Sequence, residues 1–218
     1  MRDSYRGDLD RLTGRLFTLS RHAADLIDQA TVALEEADGV LAGVVVAEGA
    51  RFARARSVVE EQAHVILALQ APVASDLRVV PASLHALSEL DRMGRLAVHV
   101  AEAVQRRHPH PVVPHVLAPR FAEMGRIAVW LAMLAGDAIR TRDVTLARAL
   151  VAVDAEMDDL HRTLFTTLDY RNWPYGIAAA IDAALLSRYY ERFGDHAVSL
   201  ARQTAFVVTG RPRREDVA

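Results

Sequence analysis

Leu9, Leu12, Leu16, Leu19, Ala23, Leu26, Ala30 and Ala33 recur at alternating steps of three and four. On a helix of 3.6 residues per turn those steps trace a narrow apolar seam along one side. The pattern predicts a long first helix, broken at Ala37-Asp38-Gly39. A second helix follows, with Leu41, Val44, Val45, Phe52, Val59, Ile66 and Leu69 on its inner side. It stops before Pro72, because the residue ahead of a proline disfavours helical geometry. Gln70 to Arg78 reads as a compact turn in which Ser75 and Asp76 are N-cap candidates. A third helix runs to about Arg107; Pro81, early in it, predicts a first-turn kink or a start delayed to that point.

The pattern then breaks and begins again. Four of the chain's eight prolines fall between positions 109 and 119, which marks the clearest linker. The helical period resumes near Pro119, passes Trp130 and Ile139, and turns at Thr141-Arg142-Asp143. A fifth helix presents Leu146, Leu150, Val153, Met157, Leu160, Leu164 and Leu168 as one stripe, closed by Asn172-Trp173-Pro174-Tyr175-Gly176. A sixth extends from about Ile177 to Thr209. The expected fold is all-α, as two tandem antiparallel three-helix bundles. The division is 1–108 for the first repeat, 109–118 for a Pro-rich hinge, 119–210 for the second repeat and 211–218 for a disordered tail.

The two halves share a signature. Tyr189-Tyr190-Glu191-Arg192-Phe193-Gly194-Asp195-His196-Ala197-Val198 has an echo in Glu89-Leu90-Asp91-Arg92-Met93-Gly94-Arg95-Leu96-Ala97-Val98. Recurrence at a fixed distance is the mark of one structural unit used twice. In the second half, Asp154 with Asp158 and Glu191 with Asp195 are carboxylate pairs at i, i+4, so each pair projects from one helix face. If helices five and six are neighbours, four carboxylates converge along their groove. Hard oxygen ligands of this kind suit magnesium, calcium, manganese or ferric iron, and zinc where imidazole joins them. His161, three residues after Asp158, is a candidate for that imidazole. The same spacing equally describes a solvated acidic face paired with Arg188, Arg192 or Arg162.

The equivalent positions in the first half are Arg56, Glu60, Asp91 and Arg95. Two cations and two anions can neutralise each other, and a guanidinium cannot ligate a metal. Metal binding is therefore expected in the second half only. Glu61-Gln62-Ala63-His64 has the Glu-x-x-His spacing of di-iron bundles, but helices one and four offer no matching inward acids. His22, His85, His99 and His196 are scattered, and neither a glycine-rich phosphate loop nor a Ser/His/Asp order is present.

Composition narrows the classes further. A net charge of −2 gives no electrostatic reason to expect nucleic acid, and the absence of cysteine excludes disulfides, thiolate metal sites and Cys nucleophiles. The polar N-terminus does not read as a signal peptide, and no apolar run approaches the ~20 residues of a membrane span. A cytoplasmic protein is expected.

These residues resemble the PhoU family of phosphate-uptake and phosphate-signalling regulators. Glu191-Arg192-Phe193-Gly194-Asp195-His196 is similar to the family's Glu-Arg-aliphatic-Gly-Asp signature. Pro72-Val73-Ala74-Ser75-Asp76-Leu77-Arg78 is similar to its Pro-x-Ala-Ser-Asp-Leu-Arg turn, and Asp91-Arg92-Met93-Gly94 to the first-repeat copy. The resemblance covers about residues 5 to 210. It implies a cytoplasmic negative regulator, often a homodimer, that links a phosphate ABC transporter ATPase to a sensor histidine kinase and is not an enzyme. Such a protein would be peripheral to the membrane through its partners. The resemblance also implies a metal site at Asp154, Asp158, Glu191 and Asp195, filled by iron or zinc, with manganese or magnesium as alternatives. It does not extend to the first repeat, where Arg56 and Arg95 replace motif acids. A carboxylate-bridged metalloenzyme of di-iron type is the alternative function.

Overall fold

The computed structural model describes residues 2–69, 75–168 and 173–210. Six long helices account for nearly all of it: α1 (Arg2–Glu36), α2 (Gly39–Leu69), α3 (Ser75–Arg107), α4 (Ala118–Thr141), α5 (Val144–Thr167) and α6 (Gly176–Thr209). A single 3-10 turn, His115–Leu117, precedes α4, and the fold is all-α.

Local chemistry sets the breaks. Ala37 takes a positive φ of 53°, and the Asp38 carboxylate accepts from the backbone N–H groups of Val40 (2.8 Å) and Leu41 (2.9 Å). That cap satisfies two of the donors left open at the start of α2. The α4–α5 corner repeats the device. Arg142 is left-handed at φ 56°, and Asp143 accepts from the Thr145 N–H at 2.8 Å. Residues 70–74 of the turn expected at 70–78, the tail at 211–218 and Asn172 lie outside the described residues, whereas 75–78 are not turn but the start of α3. α3 begins at Ser75, so its start is not delayed to Pro81, which sits inside the helix. The missing N–H there removes a bond that a first-turn proline would not.

The seam expected on α1 is buried in full: Leu9, Leu12, Leu16, Leu19, Ala23, Leu26, Ala30 and Ala33 are each at most 4% exposed. On α2 the expectation needs one correction. Val45, Phe52 and Val59 are buried and Leu41 and Ile66 partly so, but Val44 is 52% exposed. Adjacent residues on a helix point about 100° apart, so Val44 and Val45 cannot both face a neighbour. Among the described residues, α2 touches only α1 and α3.

Each half is a three-helix unit, and the halves pack through equivalent helices. α1 lies on α4 and α3 on α6, with α2 and α5 flanking on the outside. One continuous apolar core runs through α1, α3, α4 and α6. Small residues let the seam close. A Cβ added at Gly125 on α4 would stand 2.4 Å from Thr31 Cγ2 on α1, and one at Gly136 would stand 3.0 Å from Ser20. Ser20 Oγ donates to the Ala132 carbonyl at 2.6 Å, and Thr31 shares a 2.9 Å hydrogen bond with the fully buried Tyr190 hydroxyl. Val112 and Val113 of the connecting segment are also buried.

Gly125→Val should therefore overpack the seam and lower stability by about 1–3 kcal/mol. Urea unfolding is expected to show an earlier midpoint at an unchanged m-value. An unaltered midpoint would mean that α1 and α4 separate freely there.

Candidate functional site

α5 and α6 are packed neighbours, as the acidic pairs require. The stripe on α5 faces inward, with Leu150, Val153, Met157 and Leu164 buried and Leu146, Leu160 and Leu168 partly so. This register sets Asp154 at the edge of the interface and Asp158 one turn on, in solvent. On α6 burial divides the acidic pair. Asp195 is exposed, but Glu191 is only 8% exposed, and Tyr190 rather than Tyr189 is fully buried.

The four carboxylates come within electrostatic reach of one another. Burial first, then the charges of Asp158, Asp195 and Glu191, push the Asp154 carboxyl from 3.8 up to about 7. Burial, followed by the charge of Asp195, raises Glu191 as well. Gly194 explains how Asp154 reaches α6: a Cβ at that position would stand 2.6 Å from Asp154 Oδ1. The carboxylate thus rests on bare backbone between Glu191 and Asp195. Asp154 Oδ1 and Glu191 Oε2 are both buried without a hydrogen-bond donor. A buried carboxylate oxygen left this way is costly, and a cation is one of the few things that would relieve it. Four hard, anionic oxygens with two orphaned atoms among them fit iron, zinc, manganese or magnesium. As the side chains stand, no group of three or more described His, Asp or Glu residues is already closed into a ligand shell. The exposed Asp158 and Asp195 are the members free to turn inward.

Cations adjoin the groove. Arg188 Nη1 donates to Glu191 Oε1 at 2.5 Å, whereas Arg162 pairs with Asp159 and not with the site. Arg202, seven residues after Asp195 and so on the same face, attracts Asp154, and its Nε is buried without a partner. His161 Nδ1 is held by Ser187 Oγ at 2.6 Å; burial, then the charge of Arg188, lowers its pKa.

The first repeat resolves the same positions differently. Arg56 Nη1 meets Glu60 at 3.0 Å, Arg56 Nε lies 3.4 Å from Asp91 Oδ1, and Arg95 Nε donates to Asp91 Oδ2 at 2.8 Å. The set neutralises itself. Gly94 there admits the Phe52 ring, whose Cδ1 would stand 2.7 Å from an added Cβ, rather than a carboxylate.

One cluster lay beyond sequence reasoning. Glu89, 8% exposed on α3, accepts from Ser199 Oγ at 2.8 Å and pairs with His196 Nδ1 at 2.7 Å on α6. His85 Nε2 lies 3.1 Å from the same carboxylate. Burial alone would raise the Glu89 pKa, but the bonds from His196 and Ser199 hold it below the ordinary value. Only the contact of α3 with α6 brings these residues together. Arg202, in contrast, carried a signal: its heptad distance from Asp195.

A twofold repeat of three helices, with an acidic groove in one half and a neutral copy in the other, defines a class of helical-repeat protein built around paired acid motifs. The PhoU domain profile matches residues 16–104 and again 121–204. The chain is 45% identical over 210 residues to the phosphate-specific transport system accessory protein PhoU homolog 2 of Mycobacterium tuberculosis, covering 96% of this chain and 99% of that protein. It is 43% identical to PhoU homolog 1 of Mycobacterium leprae over 99% of this chain and 97% of that one. The crystal structure of PhoU from Pseudomonas aeruginosa superposes at a TM-score of 0.85 with 24% identity, over 95% of this chain and all of the other. The phosphate transport system regulatory protein PhoU from Streptococcus pneumoniae reaches 0.86 with 19% identity, over 97% of this chain and all of the other. The chain belongs to the PhoU domain family.

The raised Asp154 pKa has a pH signature in chelator-treated protein. The folded state holds this proton more tightly than the unfolded state, so stability declines as pH rises from about 4 to about 7. Asp154→Asn should remove that decline and raise the melting temperature at pH 8. Parallel pH–stability curves for the two proteins would refute the assignment.

Proposed function

We propose that this protein is an accessory and negative regulator of phosphate uptake, acting as a cytoplasmic adaptor between a phosphate ABC transporter ATPase and a sensor histidine kinase. The observation that carries the reading is the near full-length similarity to proteins named as accessory to phosphate-specific transport. Among the described residues no helix is long and apolar enough to cross a membrane, so an association with a transporter would run through protein surfaces. Six rigid helices with charged outer faces supply such surfaces, and homodimerisation would double them.

In the second repeat, Asp154, Asp158, Glu191 and Asp195 would hold the metal, iron or zinc, or else manganese or magnesium. Bound there, the ion would supply positive charge that neutralises the groove. The residues' own part is structural. Asp154 spans from α5 to the α6 backbone at Gly194, and Glu191 presents a buried oxygen to the same groove. Ligation would tie α5 to α6 and leave the first repeat unchanged. The di-iron enzyme alternative has no support, because both Glu61 and His64 are exposed on α2 and do not face a bundle interior.

Deleting the gene should leave phosphate-uptake genes expressed even in ample phosphate, measured as transcript levels in replete medium. Repression that persists in the deletion strain would overturn the regulatory reading. Asp154→Ala combined with Asp195→Ala should abolish metal retention after dialysis against a weak chelator, assayed by elemental analysis. Wild-type metal content in that double mutant would remove these acids as ligands.

A further inference from the structure

Among the described residues, the central four-helix core is open at one end. There α1, α3, α4 and α6 part around a narrow cleft of about 40 Å³, walled by Leu16, Val79, Ala86, Ile139 and Val207. The cleft widens into a mouth of about 430 Å³, which shares Val79, Arg142 and Val207 with it and is rimmed by Arg6 and Asp10. Arg6 at the mouth and Leu16 in the cleft stand ten residues apart on α1, so the two spaces together run for roughly 15 Å at the helical rise.

The walls are apolar and the polar groups few, as in sites for small molecules between bundled helices. Ser83 and Thr13 line the cleft, but each hydroxyl already donates to the carbonyl four residues back, at 2.8 and 2.9 Å. Thr31 and Thr209 do the same elsewhere. Thr204 does not. It lines the cleft at 4% exposure, and its Oγ1 has no hydrogen-bond partner, an unfavourable state for a desolvated hydroxyl. At the mouth two cations, Arg6 and Arg142, stand against one acid, Asp10. The Arg142–Asp10 pair is 3.7 Å long with side chains 50% and 76% exposed, so it holds Arg142 only loosely.

We propose that this end of the core is a binding site for a small amphiphilic carboxylate. The anionic head lies at Arg6 and Arg142, a short aliphatic chain fills the cleft, and an oxygen on that chain meets the Thr204 hydroxyl. The ligand touches both repeats at once, since α1 and α3 belong to the first and α4 and α6 to the second. Occupancy is thereby linked to the packing of the two repeats, because a ligand stabilises the form that binds it. None of these residues belongs to the acidic groove.

The test titrates hexanoate, ω-hydroxyhexanoate and the neutral hexanediol into full-length protein, followed by calorimetry. The hydroxy acid is expected to bind about fivefold more tightly than hexanoate, the gain from one neutral hydrogen bond. Thr204→Val should abolish that preference and leave the ligand-free melting temperature at or above the wild-type value, because the hydroxyl it removes has no partner. Arg6→Gln combined with Arg142→Asn should weaken both acids about tenfold and leave the diol unchanged. Asparagine suits the left-handed φ of 56° at position 142, and circular dichroism would show that each variant is folded. No binding of either acid by wild type, or affinities that neither variant changes, would overturn the proposal.

Discussion

The close packing of equivalent helices across the two repeats governs everything else in this molecule. α1 on α4 and α3 on α6 form a central four-helix core, and it closes only because Gly125 and Gly136 keep side chains out of the α1–α4 seam. Interiors packed to this density transmit displacement instead of absorbing it. Polar ties cross the same core: Ser20 to Ala132 between α1 and α4, Thr31 to Tyr190 between α1 and α6, and Glu89 to His196 and Ser199 between α3 and α6. Each joins one repeat to the other. A change confined to α6 therefore reaches α1 and α3 through contacts already made.

Against that common frame the two acid motifs differ in charge at matching positions. Arg56 ties α2 to α3 through Asp91, and Arg95 pairs with Asp91 within α3; partly exposed ion pairs of this kind are worth about 0–1 kcal/mol each. Asp154 and Glu191 instead bring like charges to the α5–α6 contact, and each carries a buried oxygen without a donor. One half is thus closed by its own side chains, and the other depends on its surroundings.

Much of this was legible in the sequence. The three-four apolar steps of α1 identified its buried residues one by one, because a helix face follows from spacing alone. Asp38 and Asp143 marked helix starts by short-range chemistry, and the repeated Gly-centred signature disclosed the twofold architecture. The neutral set in the first repeat was likewise readable, since opposite charges at i, i+4 on adjacent helices pair wherever those helices meet.

What depends on the relative placement of distant helices was decided only by the tertiary structure. Glu191 shares a helix face with the exposed Asp195, yet it is buried, because α6 is enclosed by α3, α4 and α5 together. Val44 was grouped with the inner residues of α2 and proved exposed, because α2 has neighbours on one side only. Glu89 meets His196 across a separation of 107 residues, and no local spacing encodes such a pair. The sequence by itself determined which residues share a helix face, since 3.6-residue geometry is a property of the chain. How many faces each helix buries, and which charges lose their water, depended on packing between helices far apart in sequence.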